Sequence, residues 1–468
     1  KMVFSSLFFL YLFLPLCVIC YAATKKNRYR NAVLIIFSLI FYAWGEPLCV
    51  FILIISAALN YILAFAIDKY RGKLMGKLAV FFAVFFDLAV LGIFKYSGFI
   101  AENLNALLPL NLPVPDIKLP IGISFYTFQI ISYVIDCHWE KVSVQKSFPK
   151  FLMYVSLFPQ LVAGPIVRYS TIESEISSRR TTLDDLSSGV SRIAVGLAKK
   201  VILANNLNII VEAFFGSDIK NLSVTGTWYA VIIYAMQIYF DFSGYSDMAI
   251  GLGRIFGFHF DENFNYPFIC KDVSEFWQRW HISLSTFFRD YLLYVPIFGK
   301  RRKYGGLFLV WFCTGLWHGA SWNYIIWGLY FGMFIFIEQL IGKKKMKKIP
   351  LAVRHIYNKI VIIIGFGIFY FEDLSRLGDF FKNLIGLNSN SFIDEFTKLS
   401  VTNNLYLIII AVICCFPVAK VIQNLAKKNI GFSYTIAASR VAVNIALLLV
   451  SSILLVDATN NPFLYFRF

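Results

Sequence analysis

The sequence predicts an all-α polytopic membrane protein, read as one integral-membrane domain over residues 1–468. Three observations carry that prediction. Hydrophobic residues make up 58% of the chain and charged residues 15%, against about 25% charged in a typical soluble domain. Aromatic residues reach 18%, with 49 phenylalanines, and the mean hydropathy is +0.66. Apolar runs near the ~20 residues that a spanning helix needs recur along the whole length. These values exclude a disordered, coiled-coil, collagenous or disulfide-rich secreted chain, and most soluble enzymes.

The runs can be taken in order. Val3–Tyr21 is followed, not preceded, by the basic cluster Lys25, Lys26, Arg28 and Arg30. That order predicts a retained helix with its N-terminus outside, because a cleavable signal carries its charge first. Further runs occupy 31–44, 48–67, 77–95, 119–136, 148–163, 226–250, 304–317, 322–341, 356–370, 404–422 and 438–455. Together they give about eleven or twelve membrane-embedded segments. The net charge of +17 is concentrated in short clusters between runs, at 25–30, 300–303 and 343–348. This is the pattern of cytoplasmic loops, so the charge needs no nucleic-acid partner. The eight cysteines fall mostly in apolar segments without paired metal-ligand spacing, which predicts buried thiols and neither a metal site nor a disulfide framework.

Three segments are too polar for simple spans. Leu119–Val134 mixes Gly122, Ser124, Tyr126, Thr127, Gln129 and Ser132 into an apolar background. Tyr239–Asp247 carries Asp241 and Asp247, and Ser274–Leu293 carries Glu275, Arg279, His281 and Arg289 among aromatics. Polar or irregular backbone at membrane depth is tolerated only where protein or a water-filled cavity meets it. A chain with several such segments encloses something, as a channel, a transporter or an intramembrane enzyme.

Two of the five histidines lie in the most unusual stretches. If 275–292 is one helix, Trp277, Trp280, His281 and Leu284 share a face, as in an interfacial helix or a cavity rim. His318 sits in G-L-W-H-G-A-S-W, 315–322. The clusters at 300–303 and 343–348 put both ends of its hairpin on the cytoplasmic side, and the ascending arm Tyr304–Trp317 rises roughly 21 Å at ~1.5 Å per residue. His318 is therefore expected inside the ~30 Å apolar layer, where an ionisable group is a functional candidate. Trp317 and Trp322 are positioned to wall a narrow cavity. A neutral imidazole there can take a proton from an attacking hydroxyl and return it to a leaving group. The competing reading for either histidine is a ring that satisfies backbone carbonyls between helices. Asp241 and Asp247 are six apart and face different ways on a helix; they serve as structural partners or as a proton relay. Arg168 and Arg289 are candidate partners for them, or contacts for a phosphate.

The motifs F-W-Q-R-W-H-I-S-L-S (276–285), G-L-W-H-G-A-S-W (315–322) and Y-F-D-F-S-G-Y-S-D-M-A-I-G (239–251) together resemble the membrane-bound O-acyltransferase superfamily. F-Y-A-W-G-E-P (41–47), L-P-I-G-I-S-F-Y-T-F-Q (119–129), A-G-P-I-V-R-Y (163–169) and N-P-F-L-Y-F-R-F (461–468) resemble its bacterial alginate O-acetyltransferase branch. The resemblance implies tilted helices with short re-entrant segments around a central tunnel, open to a thioester from the cytoplasm and to an acceptor from the opposite side. It implies His318 as the acid/base that activates the acceptor hydroxyl, and His281 as the residue that positions the thioester or assists with the acyl carbonyl. It further implies acetyl-CoA as donor substrate with no tightly bound cofactor, a bacterial inner-membrane location, and a periplasmic or extracellular partner or polysaccharide as acceptor. The Lys-, Asn- and Ile-rich composition points away from alginate itself, toward another surface polysaccharide or peptidoglycan. The alternatives are D-alanyl transfer to teichoic acid through a carrier protein, a lipid-linked sugar transporter without acyl chemistry, and a scaffold that only docks a partner.

Overall fold

The computed structural model describes residues 2–162, 164–216, 218–294, 302–388, 390–426 and 430–456. Ala163, Lys300, Arg301 and the closing 461–468 motif lie outside these residues. The described elements are all helices, as the composition predicts. They form two compact units, one of Lys1–Ile193 with Tyr245–Glu262, the other of Ala194–Gly244 with Asn263–Phe468.

Six described helices are long and apolar enough to cross a membrane: Cys49–Lys69, Leu74–Leu107, Leu183–Phe215, Trp322–Ile341, Leu351–Tyr370 and Tyr434–Val456. A seventh span is counted if Glu395–Asn403 and Leu405–Cys414, bent by 64°, act together. Several other apolar runs fold as shorter helices, such as Asn27–Ala43, Ile123–His138 and Lys303–His318. In the first unit, Leu74–Leu107 turns Phe81, Phe82, Phe85, Ile93 and Ile100 outward. A helix of that length with exposed phenylalanines needs lipid as its solvent. Ile123–His138 is the opposite case, with every residue but Ile135 and His138 buried. That explains how Ser124, Thr127, Gln129 and Ser132 sit in an apolar run: protein, not lipid, surrounds them.

The Leu183–Phe215 helix is absent from the apolar runs read in the sequence, because Asp184, Asp185, Arg192, Lys199 and Lys200 dilute it. Two of these charges are neutralised by carboxylates of the Val224–Ile255 helix. Arg192 bonds Asp247 at 2.8 Å and also engages Glu262, within the first unit. Lys200 Nζ lies 2.5 Å from Asp241 Oδ1 in the second, with both side chains almost fully buried. Lys200 lies in a π-helical turn, Lys199–Ala204. Such turns are wider than α and cluster at functional sites.

Candidate functional site

The second unit carries both candidate histidines. His318 is the last residue of the Lys303–His318 helix, 16 residues that rise roughly 24 Å at ~1.5 Å each. This helix packs closely on Trp322–Ile341. A Cβ on Gly315 would overlap the Tyr324 carbonyl, and one on Gly328 would overlap the Trp311 carbonyl. Only glycine at both positions allows this approach. His318 is buried, with its ring 4.8 Å from that of Trp327, 5.0 Å from Trp317 and 5.1 Å from Phe369.

His281 is reached differently from the way the sequence suggests. Residues 275–292 do not form one helix: Val273–Trp277 ends, and Ile282–Tyr291 begins after His281. His281 is left-handed, at φ 43° and ψ 56°, a conformation that costs a non-glycine residue about 1–2 kcal/mol. The segment 263–265 fixes the break. Asn265 N–H donates to the Arg279 carbonyl and Ile282 N–H to the Asn263 carbonyl, both at 2.9 Å. The break leaves His281 buried, with 1% of it exposed, and not on one face of a continuous interfacial helix.

The helix turn before the break is held from two sides. The Glu338 carboxylate accepts Val273 N–H at 2.7 Å, Ser274 N–H at 2.9 Å and the Ser274 hydroxyl at 2.5 Å. Asp272 caps the turn through Glu275 N–H and takes a 2.8 Å bond from Arg354. The aromatic positions then pack as a block. Trp280 stacks on Phe276 at 5.4 Å, and Trp277 meets Trp327 at 5.4 Å and Trp311 at 4.9 Å.

One indole joins the two histidines. The Trp317 ring is 5.0 Å from His318 and 5.7 Å from His281, and Phe242 packs edge-on against His281 at 4.6 Å. Two imidazoles from separate stretches thus meet one indole, with Trp327 and Phe369 beside His318 and Phe242 beside His281. Such an enclosure keeps bulk water away and strengthens any electrostatic interaction inside it.

The other expected residues divide. Trp317 and Trp280 are buried in this aromatic block, whereas Trp322 is 48% exposed at the start of its helix. Arg289 is exposed and bonds its neighbour Asp290 at 2.7 Å. The carboxylates Asp241 and Asp247 have Lys200 and Arg192 as ion partners, neither of which the sequence reading selected. Arg168 immediately precedes the Tyr169–Ser177 helix in the first unit, which also holds Asp247. Asn263, Trp327 and Phe369 were also missed. A single Asn or an aromatic in a chain this aromatic carries no distinguishing signal, but two lysines amid V-I-L-A do.

Beside the 272–278 turn lies a cavity of about 990 Å³. Arg302, Lys303, Lys343, Lys347 and Arg354 line it, together with the acids Asp272, Glu275 and Glu338. Arg302, Lys303, Lys343 and Lys347 belong to the basic clusters flanking the His318 hairpin, and Arg354 lies in the next helix, Leu351–Tyr370.

The helices define a polytopic membrane protein, and its two candidate histidines are buried against one indole. The sequence profile of the membrane-bound O-acyltransferase family matches residues 36–377, and the chain belongs to that family; it is an acyltransferase. The probable alginate O-acetylase AlgI of Pseudomonas putida is 36% identical over 503 aligned residues, with both chains covered in full. The peptidoglycan O-acetyltransferase of Helicobacter pylori is 30% identical, over 83% of this chain and 81% of its own. The teichoic acid D-alanyltransferase of Bacillus subtilis is 31% identical, over 49% of this chain and 62% of its own.

Proposed function

We propose that the protein moves an acetyl group from cytoplasmic acetyl-CoA to a hydroxyl of a cell-surface polysaccharide, of peptidoglycan, or of a partner outside the inner membrane that passes it on. The observation that carries the proposal is the pair of buried histidines sharing the Trp317 indole. In the proposed reaction the acceptor oxygen bonds to the acetyl carbon while its proton passes to the neutral His318 ring. The C–S bond then breaks, and His318 returns the proton to the departing thiolate. His281 orients the thioester. An enclosed aromatic wall supports this reading, because water would otherwise hydrolyse the thioester.

The basic lining of the 990 Å³ cavity supports a phosphate-bearing donor, since Arg and Lys pair with phosphate oxygens. The names of the relatives that align over most of the chain support acetyl as the group and a glycan as the acceptor. The test is free-thiol release from acetyl-CoA by detergent-purified protein, compared with His318→Ala and His281→Ala. Release by wild type and its loss in His318→Ala are expected. No release with acetyl-CoA, but turnover of an acyl carrier-protein thioester, would replace the donor. Substrate translocation that survives His318→Ala without thiol release would replace the reaction by transport.

A further inference from the structure

Asn263 is fully buried, and its side-chain oxygen lies among three groups. Ser283 N–H donates to Asn263 Oδ1 at 3.1 Å, the Ser283 hydroxyl donates at 2.9 Å, and His281 Nδ1 stands 3.2 Å away. A backbone N–H is always a donor, so the atom it meets must be the amide oxygen and not the nitrogen. That settles the amide orientation. An amide oxygen can only accept, and the Ser283 hydroxyl stands closer to it, at 2.9 Å, than to His281 Nδ1, at 3.5 Å, so the contact between Nδ1 and Oδ1 is a hydrogen bond when Nδ1 carries the proton. The neutral ring then has Nε2 as its acceptor nitrogen.

We infer that Asn263 is a positioning residue that holds His281 as the Nδ1–H tautomer, so that Nε2 serves as the ring's hydrogen-bond acceptor in acyl transfer. The inference deepens the acyl-transfer reading and rests on it for the role of His281, though not for the tautomer. It gives His281 a narrower chemistry than generic help: Nε2 cannot donate to the thioester carbonyl, so it orients the donor by accepting from an amide N–H of the CoA arm. Another feature separates this role from simple support of the fold. The turn at His281 is held by the Asn263 backbone carbonyl through Ile282 N–H, and that bond survives any side-chain substitution. Loss of the side-chain oxygen therefore acts on the imidazole and on the Ser283 donors, not on the backbone bracket.

Two variants test this on the full-length protein. Asn263→Leu removes the acceptor at nearly constant volume, and Asn263→Asp keeps an oxygen where Nδ1–H and Ser283 N–H need one. The first readout is the tautomer of His281, from nitrogen NMR of histidine-labelled protein in nanodiscs. The chain has five histidines, so His281→Gln identifies the signal by subtraction. Wild type and Asn263→Asp are expected to show a protonated Nδ1 and a bare Nε2, and Asn263→Leu a mixture. The second readout is thiol release from acetyl-CoA. In Asn263→Leu, kcat is expected to fall about 10- to 100-fold with KM nearly unchanged, the loss typical when an orienting partner is removed. Asn263→Asp is expected to recover most of it. A protonated Nε2 in wild type, or wild-type kcat in Asn263→Leu, overturns the inference. So does an equal loss in both variants with the tautomer unchanged. A wild-type protein that releases no thiol from any donor overturns the acyl-transfer reading instead, and the NMR result still decides the tautomer.

Discussion

Breaking the Lys200–Asp241 pair exposes how the second unit tolerates charge. Both side chains are almost fully buried, 3% and 2% exposed, with Nζ and Oδ1 at 2.5 Å. Asp241→Asn removes the countercharge and leaves a buried ammonium; Lys200→Met leaves a buried carboxylate. Each orphaned charge costs roughly 3–5 kcal/mol, whereas an apolar pair of similar volume is often neutral. The double variant Lys200→Met/Asp241→Leu should therefore return to within about 1 kcal/mol of wild type. At ~2–4 °C per kcal/mol, either single change lowers the melting midpoint on the order of 10 °C, read by thermal unfolding in detergent at fixed scan rate. Activity should follow, because Asp241 precedes Phe242, whose ring packs on His281 at 4.6 Å. A double variant that falls by the sum of the two singles would refute the reasoning, since independent losses would mean that the charges do not compensate each other.

Other changes separate packing from chemistry. Trp317→Ala removes the indole shared by the histidines and should cost about 3–5 kcal/mol of packing together with most thiol release, while Trp317→Phe keeps a ring there and loses less. Trp322→Ala, at a half-exposed position, should leave both stability and turnover near wild type. Gly315→Val drives a branched side chain into the Tyr324 carbonyl, so folded, monodisperse protein should be lost on size-exclusion chromatography; normal yield would show that the helices can separate. In the 256–267 connection, His259 is held above the usual imidazole range by its hydrogen bond to Glu175 and by Asp185. A raised folded-state value stabilises at low pH and is lost as pH rises through that value. The melting-point gap between wild type and His259→Gln should therefore be widest below about pH 6.5, the unfolded-state value, and close as the pH is raised; a gap that widens instead would reverse the sign.

Composition by itself determined that this chain folds in lipid, because too few charged residues exist to cover a soluble surface of 468 residues. Spacing determined the hairpin that carries His318: two apolar runs, 304–317 and 322–341, lie between basic clusters, and the first helix ends at His318. The motif context around both histidines was legible for the same local reason. Tertiary structure decided the rest. The left-handed break at His281 is imposed by 263–265, a segment 16 or more residues away, and no local propensity predicts it. The span at Leu183–Phe215 was hidden because charge counts against a run unless its partner is known, and the partners of Arg192 and Lys200 lie about 40 or more residues further along the chain. Helical periodicity could say that Asp241 and Asp247 face apart, but not what each would meet. That Trp317 is buried against both histidines while Trp322 is half-exposed is a property of the packed helices, not of the motif that holds both indoles.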